Sequence, residues 1–242
     1  MKGFVHSFES LAAVDGDGLR YGVFLSGCPL RCVYCHNPDT WEMGAGRAFE
    51  SGELVKKIVR YRSYFGERGG VTFSGGEPLL QAEWLCEVAE LLKKEDIGYV
   101  LDTSGGVPLT EAVKTLLSGA QGVLLDLKFS EEESYLSYTG RGMSQTLAVL
   151  DYLESIGKTT RIRIVIVPGI NDSEETLERY LAHLRGKNCV SEVELLGFHT
   201  MGFHKYEALG IENHLADQKA LDPDLKDRLQ SFVNEKMKST KQ

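Results

Sequence analysis

Short apolar segments alternate with amphipathic ones along most of the chain. Six runs rich in β-branched and aromatic residues have the length of β-strands. They span residues 19–26, 70–74, 98–104, 122–130, 161–169 and 192–199. Five further segments carry apolar residues at spacings of three and four, as amphipathic helices do. They span residues 51–65, 81–95, 109–119, 143–157 and 173–186. The pattern therefore predicts strand–helix units in series.

The strands are apolar along nearly their whole length, which favours a parallel sheet covered by helices. A closed barrel of eight units usually needs about 250 residues. Six units in 242 residues therefore predict an α/β fold, a partial (β/α)6 barrel of parallel strands with outer helices. No repeat or Pro/Ser-rich linker divides the sequence. We predict one domain over residues 1–242, with a core at about 15–200 and a C-terminal extension, 201–242.

Charge and composition exclude several classes of partner. A net charge of -8 disfavours a polyanion, because phosphate contacts require clustered Lys and Arg, so we expect no nucleic acid partner. The sequence has no apolar run of the roughly 18 residues that a membrane span needs, and no secretory signal. We therefore expect no membrane partner and a cytoplasmic location, where the five cysteines would be thiols or metal ligands.

Polar and metal-ligating residues stand at the carboxyl ends of the predicted strands. In parallel α/β proteins the ligand site lies beyond those ends. From the first strand to the sixth, the residues are Cys28, the segment SGGEP (74–78), Asp102 and Thr103, Asp126 and Lys128, Arg163 within the fifth strand, and His199. The sequence therefore predicts one site that all six strands contribute to.

Three of the cysteines lie in the segment GCPLRCVYCHNPDTW (27–41). Cys28, Cys32 and Cys35 have the spacing C-x3-C-x2-C, which lets one loop wrap one side of a metal centre. A structural zinc site ordinarily has four ligands. A 4Fe-4S cubane is ordinarily held by four thiolates, so three thiolates would leave one iron open to an exogenous ligand.

No fourth ligand is obvious in the sequence. Cys86 lies inside a predicted helix, where a buried thiol is the natural interpretation, and Cys189 precedes the sixth strand without a ligand-like neighbour. His36 directly follows Cys35, and two adjacent residues seldom reach one tetrahedral ion in good geometry. A non-catalytic zinc module with a fourth ligand from elsewhere in the chain remains an alternative.

The spacing C28-P-L-R-C32-V-Y-C35 and the stretch S74-G-G-E77-P resemble two motifs of the radical S-adenosylmethionine (SAM) enzymes. The stretches HSFESLAAVDGDGLR, YCHNPDTW, LDTSG, LLDLK, IRIVIVPGINDS and FHTMGFHKYEALG extend the resemblance, over nearly the whole chain, to enzymes that activate glycyl radical enzymes. Many such activases carry a ferredoxin-like insert with further cysteines after the first cluster. This sequence has none before its GGE stretch, so it is most similar to the type that acts on pyruvate formate-lyase.

The resemblance implies a reaction and its partners. A 4Fe-4S cluster on the three cysteines would bind SAM at its open iron and cleave it reductively, and the resulting 5'-deoxyadenosyl radical would remove a Cα hydrogen from one glycine. The glycine would belong to the glycyl radical loop of pyruvate formate-lyase. Reduced flavodoxin or ferredoxin would supply the electron, and a monomer is expected. The alternatives are an activase of another glycyl radical enzyme and a radical SAM enzyme for a small molecule.

The resemblance also implies which residues contact SAM. They are Tyr34, His36, Gly75, Gly76, Glu77, Asp126, Leu127, Lys128, Arg163 and His199. A monovalent cation near the SAM carboxylate would take oxygen ligands from Asp102, Thr103 and Asp126.

The residue types agree with these roles but leave alternatives open. Asp126 and Lys128 share one face of an apolar strand, where two charges need each other or a polar ligand, so a structural ion pair is the alternative. Arg161 and Arg163 are two residues apart on one strand and therefore face the same side, so the sequence leaves open which arginine points inward. A GGE stretch alone also occurs in ordinary turns. For His199 the alternative is a surface or core histidine whose ring is hydrogen-bonded within the protein, and for Asp102 it is a helix cap.

The sequence departs from the family pattern at one turn. Where the family commonly reads V-D-G-P-G, this chain has V14-D-G-D17-G. Without proline the φ angle of that position is unrestricted. We therefore expect a looser turn, with no effect on the cluster ligands.

Overall fold

The computed structural model describes residues 1–12 and 16–240. Over those ranges the strands form one sheet of eight, in the order β3-β1-β2-β4-β5-β6-β7-β8. The bounds are β1 Lys2–Ala12, β2 Arg20–Leu25, β3 Arg47–Glu50, β4 Gly70–Gly75, β5 Tyr99–Thr103, β6 Gly122–Asp126, β7 Thr160–Ile166 and β8 Val190–Gly197.

The six predicted strands are present and parallel. They are β2, β4, β5, β6, β7 and β8, each paired with the next. Apolar side chains on these strands, such as Val23, Phe73, Leu101 and Ile162, are fully buried. Among the described strands, β3 and β8 lie at opposite ends of the sheet and do not pair. The prediction of a partial (β/α)6 barrel is therefore confirmed.

Two antiparallel strands at one end of the sheet were not predicted. β1 pairs with β2, with Phe8 opposite Val23, and with β3, with Gly3 opposite Phe49. β1 mixes polar and apolar residues without a regular alternation, and β3 buries a single side chain. Neither has the continuous apolar run that identified the parallel strands. Gly3 also has a packing role, because a Cβ there would lie 2.0 Å from the Trp84 ring.

The predicted helices are all present, and 51–65 is divided into two. The bounds are α1 Ser51–Val59, α2 Arg62–Phe65, α3 Ala82–Lys94, α4 Glu111–Gly119, α5 Glu132–Thr139, α6 Ser144–Ser155, α7 Glu174–His183, α8 Phe203–Leu209 and α9 Pro223–Thr240. Of these, α5, α8 and α9 were not predicted. Within the two described ranges, none of the helices has the length and apolar character needed to cross a membrane.

Helix α9 covers the outer edge of β8. The side-chain amide of Gln230 pairs with the strand as a neighbouring strand would: Leu195 N–H donates to Oε1 at 2.8 Å, and Nε2 donates to the Val193 carbonyl at 2.9 Å. Leu229 and Val233 of α9 are buried. An uncovered edge strand can pair with a strand of another chain. The segment after residue 200 therefore protects the edge of β8. The single domain with its boundaries stays a prediction.

Candidate active site

The loops that follow the parallel strands meet around a cavity of about 210 Å³. Most of the predicted site residues line it. These residues are Cys28, Cys32, Tyr34, Cys35, His36, Gly75, Gly76, Asp102, Thr103, Asp126, Lys128 and Arg163. Glu77, Leu127 and His199 lie outside that lining. The prediction that the carboxyl ends of the strands converge on one place is therefore confirmed.

Backbone hydrogen bonds hold the cysteine loop against its neighbours. Gly27 N–H donates to the Thr40 carbonyl at 2.7 Å, and Cys28 N–H donates to the Trp41 carbonyl at 3.1 Å. Cys35 N–H donates to the Cys32 carbonyl at 3.0 Å. The three thiols are therefore positioned by main-chain contacts in the protein itself.

All five cysteines lie in the described residues and are free thiols. Burial and, to a smaller extent, the nearby Glu77 carboxylate raise the pKa of Cys28 to about 12. Burial likewise raises the pKa of Cys32 to about 12, whereas Lys128 acts to lower it. Thiolates bind metal and thiols do not, so loading of a metal centre here must release protons.

The donor set fits an iron–sulfur cluster. Thiolates are the ligands that hold such clusters, and N–H groups directed at the sulfurs are among the features that set their reduction potential. Hydrogen bonding by the backbone at Leu30 acts to lower the pKa of Cys28, and that at Asn37 acts to lower the pKa of Cys35, both against the effect of burial. Across residues 1–12 and 16–240, no three His, Cys, Asp or Glu side chains are arranged to hold one metal ion. That absence does not conflict with a cluster, because the thiolates of a cubane bind different irons and need not converge on one ion.

Four charged side chains that line the same cavity form a connected group. Arg163 donates through Nη2 to Asp102 and through Nε to Asp126, the latter at 3.0 Å. Lys128 Nζ donates to Asp126 at 2.7 Å, so the ion pair considered from the sequence is present. Ser74 Oγ donates to the other oxygen of Asp102 at 2.6 Å. Two carboxylates are thus balanced by two cations.

Asp126 and Lys128 are both charged at neutral pH. Burial alone would raise the pKa of Asp126, but Arg163 and Lys128 outweigh it, and the pKa lies below its ordinary value. Burial alone would lower the pKa of Lys128, but Asp126 outweighs it, and the pKa is raised. Carboxylates and cations side by side are suited to the amino and carboxylate groups of an amino-acid ligand.

The two arginines of β7 have different locations. Arg163 lies in the middle of β7, and its Cα is paired with that of Asp126, the last residue of β6. Arg161 lines a separate cavity near the amino ends of the strands, where it contacts Glu192 at 2.9 Å and Asp17 at 3.4 Å. Only Arg163 is therefore placed to act at the site.

The GGE turn packs its two glycines against the end of β2 and the start of the cysteine loop. Gly75 has a φ of +102°, and a Cβ there would lie 2.3 Å from the Leu25 nitrogen. A Cβ on Gly76 would lie 2.2 Å from the Gly27 carbonyl oxygen. The turn therefore needs glycine at both positions because backbone contacts backbone.

Glu77 is directed into the protein. Its carboxylate accepts hydrogen bonds from the Leu79 and Ser104 N–H groups and from the hydroxyls of Thr103 and Ser104, at 2.5 to 3.0 Å. Burial raises its pKa despite these four donors. The side chain ties the turn to the end of β5, and a contact with SAM stays a prediction. Leu127 is also buried, with its N–H donating to the Arg163 carbonyl at 3.0 Å.

Aromatic side chains complete the site. His36 and His199 stack with ring centres 3.8 Å apart, and His36 Nε2 lies 3.0 Å from the His199 carbonyl oxygen. Burial lowers the pKa of His36. Tyr34 is buried, with its hydroxyl 3.5 Å from the Lys128 carbonyl. Their contacts with SAM stay predictions.

Sequence reasoning missed two residues that contact the cysteine loop. Trp41 lines the cavity, and Tyr206 of α8 donates its hydroxyl to the Cys35 carbonyl at 2.9 Å. Both belong to stretches quoted for the family resemblance, but neither stands at a strand end. Of the unusual turn, Val14 and Asp15 lie outside the described residues.

An open six-unit barrel with a three-thiol loop at its carboxyl edge defines the radical SAM class of enzymes, and the family model of the Radical SAM superfamily matches residues 23–181. Over 96% of its length the chain is 41% identical to pyruvate formate-lyase-activating enzyme of Clostridium pasteurianum, and the match covers 98% of that enzyme. The enzyme of the same name from Staphylococcus aureus (strain USA300) is 38% identical, with 98% of each chain covered. The chain belongs to the radical SAM superfamily and, within it, to the pyruvate formate-lyase-activating enzymes.

A solved structure also resembles this fold. Streptococcus suis SuiB bound to precursor peptide SuiA superposes with a TM-score of 0.65 at 16% identity, covering 88% of this chain and 44% of SuiB. At that identity the likeness concerns the fold alone.

Proposed function

We propose that this protein activates pyruvate formate-lyase by generating a glycyl radical on it, with a 4Fe-4S cluster and SAM as cofactors. The observation that carries the proposal is one cavity with the three thiols of Cys28, Cys32 and Cys35 beside four charged side chains. The named relatives, at 38 to 41% identity over nearly the full chain, support pyruvate formate-lyase as the substrate.

Within this proposal, the chain's own residues hold and orient the cofactors. The three cysteines would bind the cluster, and the loop contacts of Gly27 and Cys28 would keep them in place. Asp102 and Asp126 would attract the amino group of SAM, and Lys128 and Arg163 its carboxylate. Together the cluster and SAM would supply the radical chemistry that removes the glycine hydrogen.

Four further features belong to the same proposal. Reduced flavodoxin or ferredoxin would be the electron donor, and the protein would act as a monomer. Its five free thiols suit the reducing cytoplasm. A monovalent cation would use oxygens of Asp102, Thr103 and Asp126. It would compete with Arg163 for both carboxylates, so activity should depend on the cation supplied.

The proposal is tested by anaerobic incubation of the reduced, cluster-loaded protein with SAM and pyruvate formate-lyase, followed by electron paramagnetic resonance. A glycyl radical signal that is lost with Cys32→Ala supports it. SAM cleavage that gives a signal only on another glycyl radical enzyme overturns the choice of partner. SAM cleavage with no glycyl signal on any candidate indicates a small-molecule substrate. A colourless protein that holds zinc and no sulfide indicates the non-catalytic module.

A further inference from the structure

Lys128 lies just beyond the part of β6 that the sheet holds in place. The strand ends at Asp126, and the Leu127 N–H still donates to the Arg163 carbonyl at 3.0 Å. Lys128 follows and belongs to neither a strand nor a helix, yet its ammonium lies at the site, 2.7 Å from Asp126. An ammonium on a backbone segment that nothing holds would have to be ordered when its ligand binds, which costs affinity. Contacts from outside the sheet therefore decide how well Lys128 is placed.

The side chain of Tyr180 makes such a contact. Tyr180 lies on α7 and is fully buried, and its hydroxyl donates to the Lys128 carbonyl at 3.0 Å. Three residues later, His183 Nε2 lies 2.8 Å from the Ser130 carbonyl oxygen. Because residues three apart lie on the same face of a helix, α7 contacts the segment after β6 at two points. The Tyr34 hydroxyl is farther from the same Lys128 carbonyl, at 3.5 Å.

Asn171 fixes the direction in which the Tyr180 hydroxyl donates. Asn171 Oδ1 accepts the Val167 N–H at 2.7 Å, so the other atom of the amide is the donor, Nδ2. Nδ2 donates to the Val165 carbonyl at 2.9 Å and to the Tyr180 hydroxyl oxygen at 3.1 Å. Because that oxygen accepts from the amide, its own hydrogen is directed to the Lys128 carbonyl. A buried chain of hydrogen bonds therefore runs in one direction, from the end of β7 to Lys128.

We propose that Tyr180 is a positioning residue for SAM, which holds the backbone of Lys128 so that the lysine ammonium meets the SAM carboxylate. This inference deepens the proposed function and rests on its assignment of Lys128 to that carboxylate. Tyr180 is not among the residues that line the cavity, so it acts only through Lys128. Loss of the hydroxyl should therefore weaken recognition of one group of SAM and leave the rest unchanged.

The test measures the Kd of SAM by equilibrium dialysis in wild type, Tyr180→Phe and Tyr99→Phe, with anaerobically reconstituted, unreduced protein. Phenylalanine keeps the buried ring and removes the hydroxyl. Tyr99 is a matched control, because it is also buried and its hydroxyl donates to a backbone carbonyl, that of Leu116 at 2.7 Å, beside a separate cavity. We expect a roughly fivefold higher Kd for Tyr180→Phe, as for the loss of one ordinary hydrogen bond, and an unchanged Kd for Tyr99→Phe.

Decarboxylated SAM distinguishes positioning of Lys128 from a general loss of structure. The analogue keeps the sulfonium, the amino group and the adenosine but has no carboxylate for Lys128 to meet. Its Kd, measured by competition with labelled SAM, should be the same in wild type and in Tyr180→Phe. An equal increase for SAM and the analogue, or an unchanged Kd for SAM, overturns the role of Tyr180.

A second replacement, Tyr180→4-fluorophenylalanine, keeps the inference testable if Tyr180→Phe takes up little iron. Its fluorine fills much of the space of the hydroxyl but donates no hydrogen bond, and the same two measurements decide the outcome. Because SAM binding needs no partner enzyme, a missing glycyl signal does not affect this test. A wild-type protein that binds SAM no more tightly than the decarboxylated analogue overturns both this inference and the assignment of Lys128 to the carboxylate.

Discussion

Arg163 and Asp126 face each other in register on neighbouring parallel strands, with Nε 3.0 Å from the carboxylate oxygen. The same guanidinium donates to Asp102 on the next strand. Three strands are thus connected at their carboxyl edge by one side chain. Because charges in an apolar barrel are costly unless paired, this pairing explains how the site can hold four charges.

Replacing Arg163 should destabilise the protein strongly. Arg163→Met leaves two buried carboxylates with one cation fewer, and we expect a loss of about 3 to 5 kcal/mol in the free energy of unfolding. Urea unfolding under anaerobic conditions measures it. The control is Arg161→Met on the same strand, where a more exposed side chain pairs with exposed carboxylates and about 1 kcal/mol or less is expected.

A second substitution distinguishes lost pairing from lost packing. Asp102→Asn combined with Arg163→Met removes the carboxylate that has lost its arginine, while Asp126 keeps its pair with Lys128. The double variant should therefore recover part of the stability. Equal losses for Arg163→Met and Arg161→Met would show that the buried pairing contributes little.

Gly76→Ala should destabilise the GGE turn. The added Cβ meets the Gly27 carbonyl oxygen at 2.2 Å, and neither backbone segment can shift without moving the cysteine loop. We expect a loss of about 1 to 3 kcal/mol, together with reduced iron uptake, measured by urea unfolding and iron analysis.

The matched control for Gly76 is Gly52→Ala. Gly52 lies in α1, and a Cβ there meets nothing within 4 Å. Alanine should stabilise that helix by up to about 1 kcal/mol. A neutral Gly76→Ala variant with full iron uptake would contradict the close packing of the two loops.

Glu77 should make the protein's stability depend on pH. Burial raises its pKa in the folded state above the ordinary 4.5, so the folded protein keeps this proton to a higher pH than the unfolded chain does. The contribution of Glu77 to the free energy of unfolding therefore falls as the pH rises from 4.5 through the folded-state pKa, and is constant above it.

Glu77→Gln provides the comparison, because it does not titrate. The stability of wild type minus that of Glu77→Gln, from urea unfolding at several pH values, should decrease over this range. A difference that increases with pH would mean that the four hydrogen bonds outweigh burial and that the pKa is lowered.

Cluster loading should depend on three cysteines and not on the other two. Alanine at Cys28, Cys32 or Cys35 should sharply reduce the iron and sulfide bound after anaerobic reconstitution, relative to about four of each in wild type. Cys86→Ala is the control, since its thiol lies on α3 and contacts the Ala112 carbonyl at 3.5 Å. Equal iron in Cys32→Ala and wild type would refute this assignment of the ligands.

Several features followed from sequence patterns because the information is local. A continuous apolar run identifies a buried parallel strand wherever it occurs, and C-x3-C-x2-C places three thiols on one loop without reference to the rest of the fold. β1 was not predicted because its polar and apolar residues form neither a continuous apolar run nor a regular alternation. Its place in the sheet depends on contacts with β2 and β3.

The architecture, the three-thiol loop and the gathering of polar residues at one edge could be predicted from the sequence, since parallel strands connected by helices all point the same way. How those residues are used depends on the tertiary structure. It placed Arg163 at the site and Arg161 in a separate cavity, turned Glu77 inward to Thr103 and Ser104, and brought Tyr206 to the Cys35 carbonyl. Each of these depends on distances between loops of different strand–helix units, which the spacing of residues within one segment does not encode.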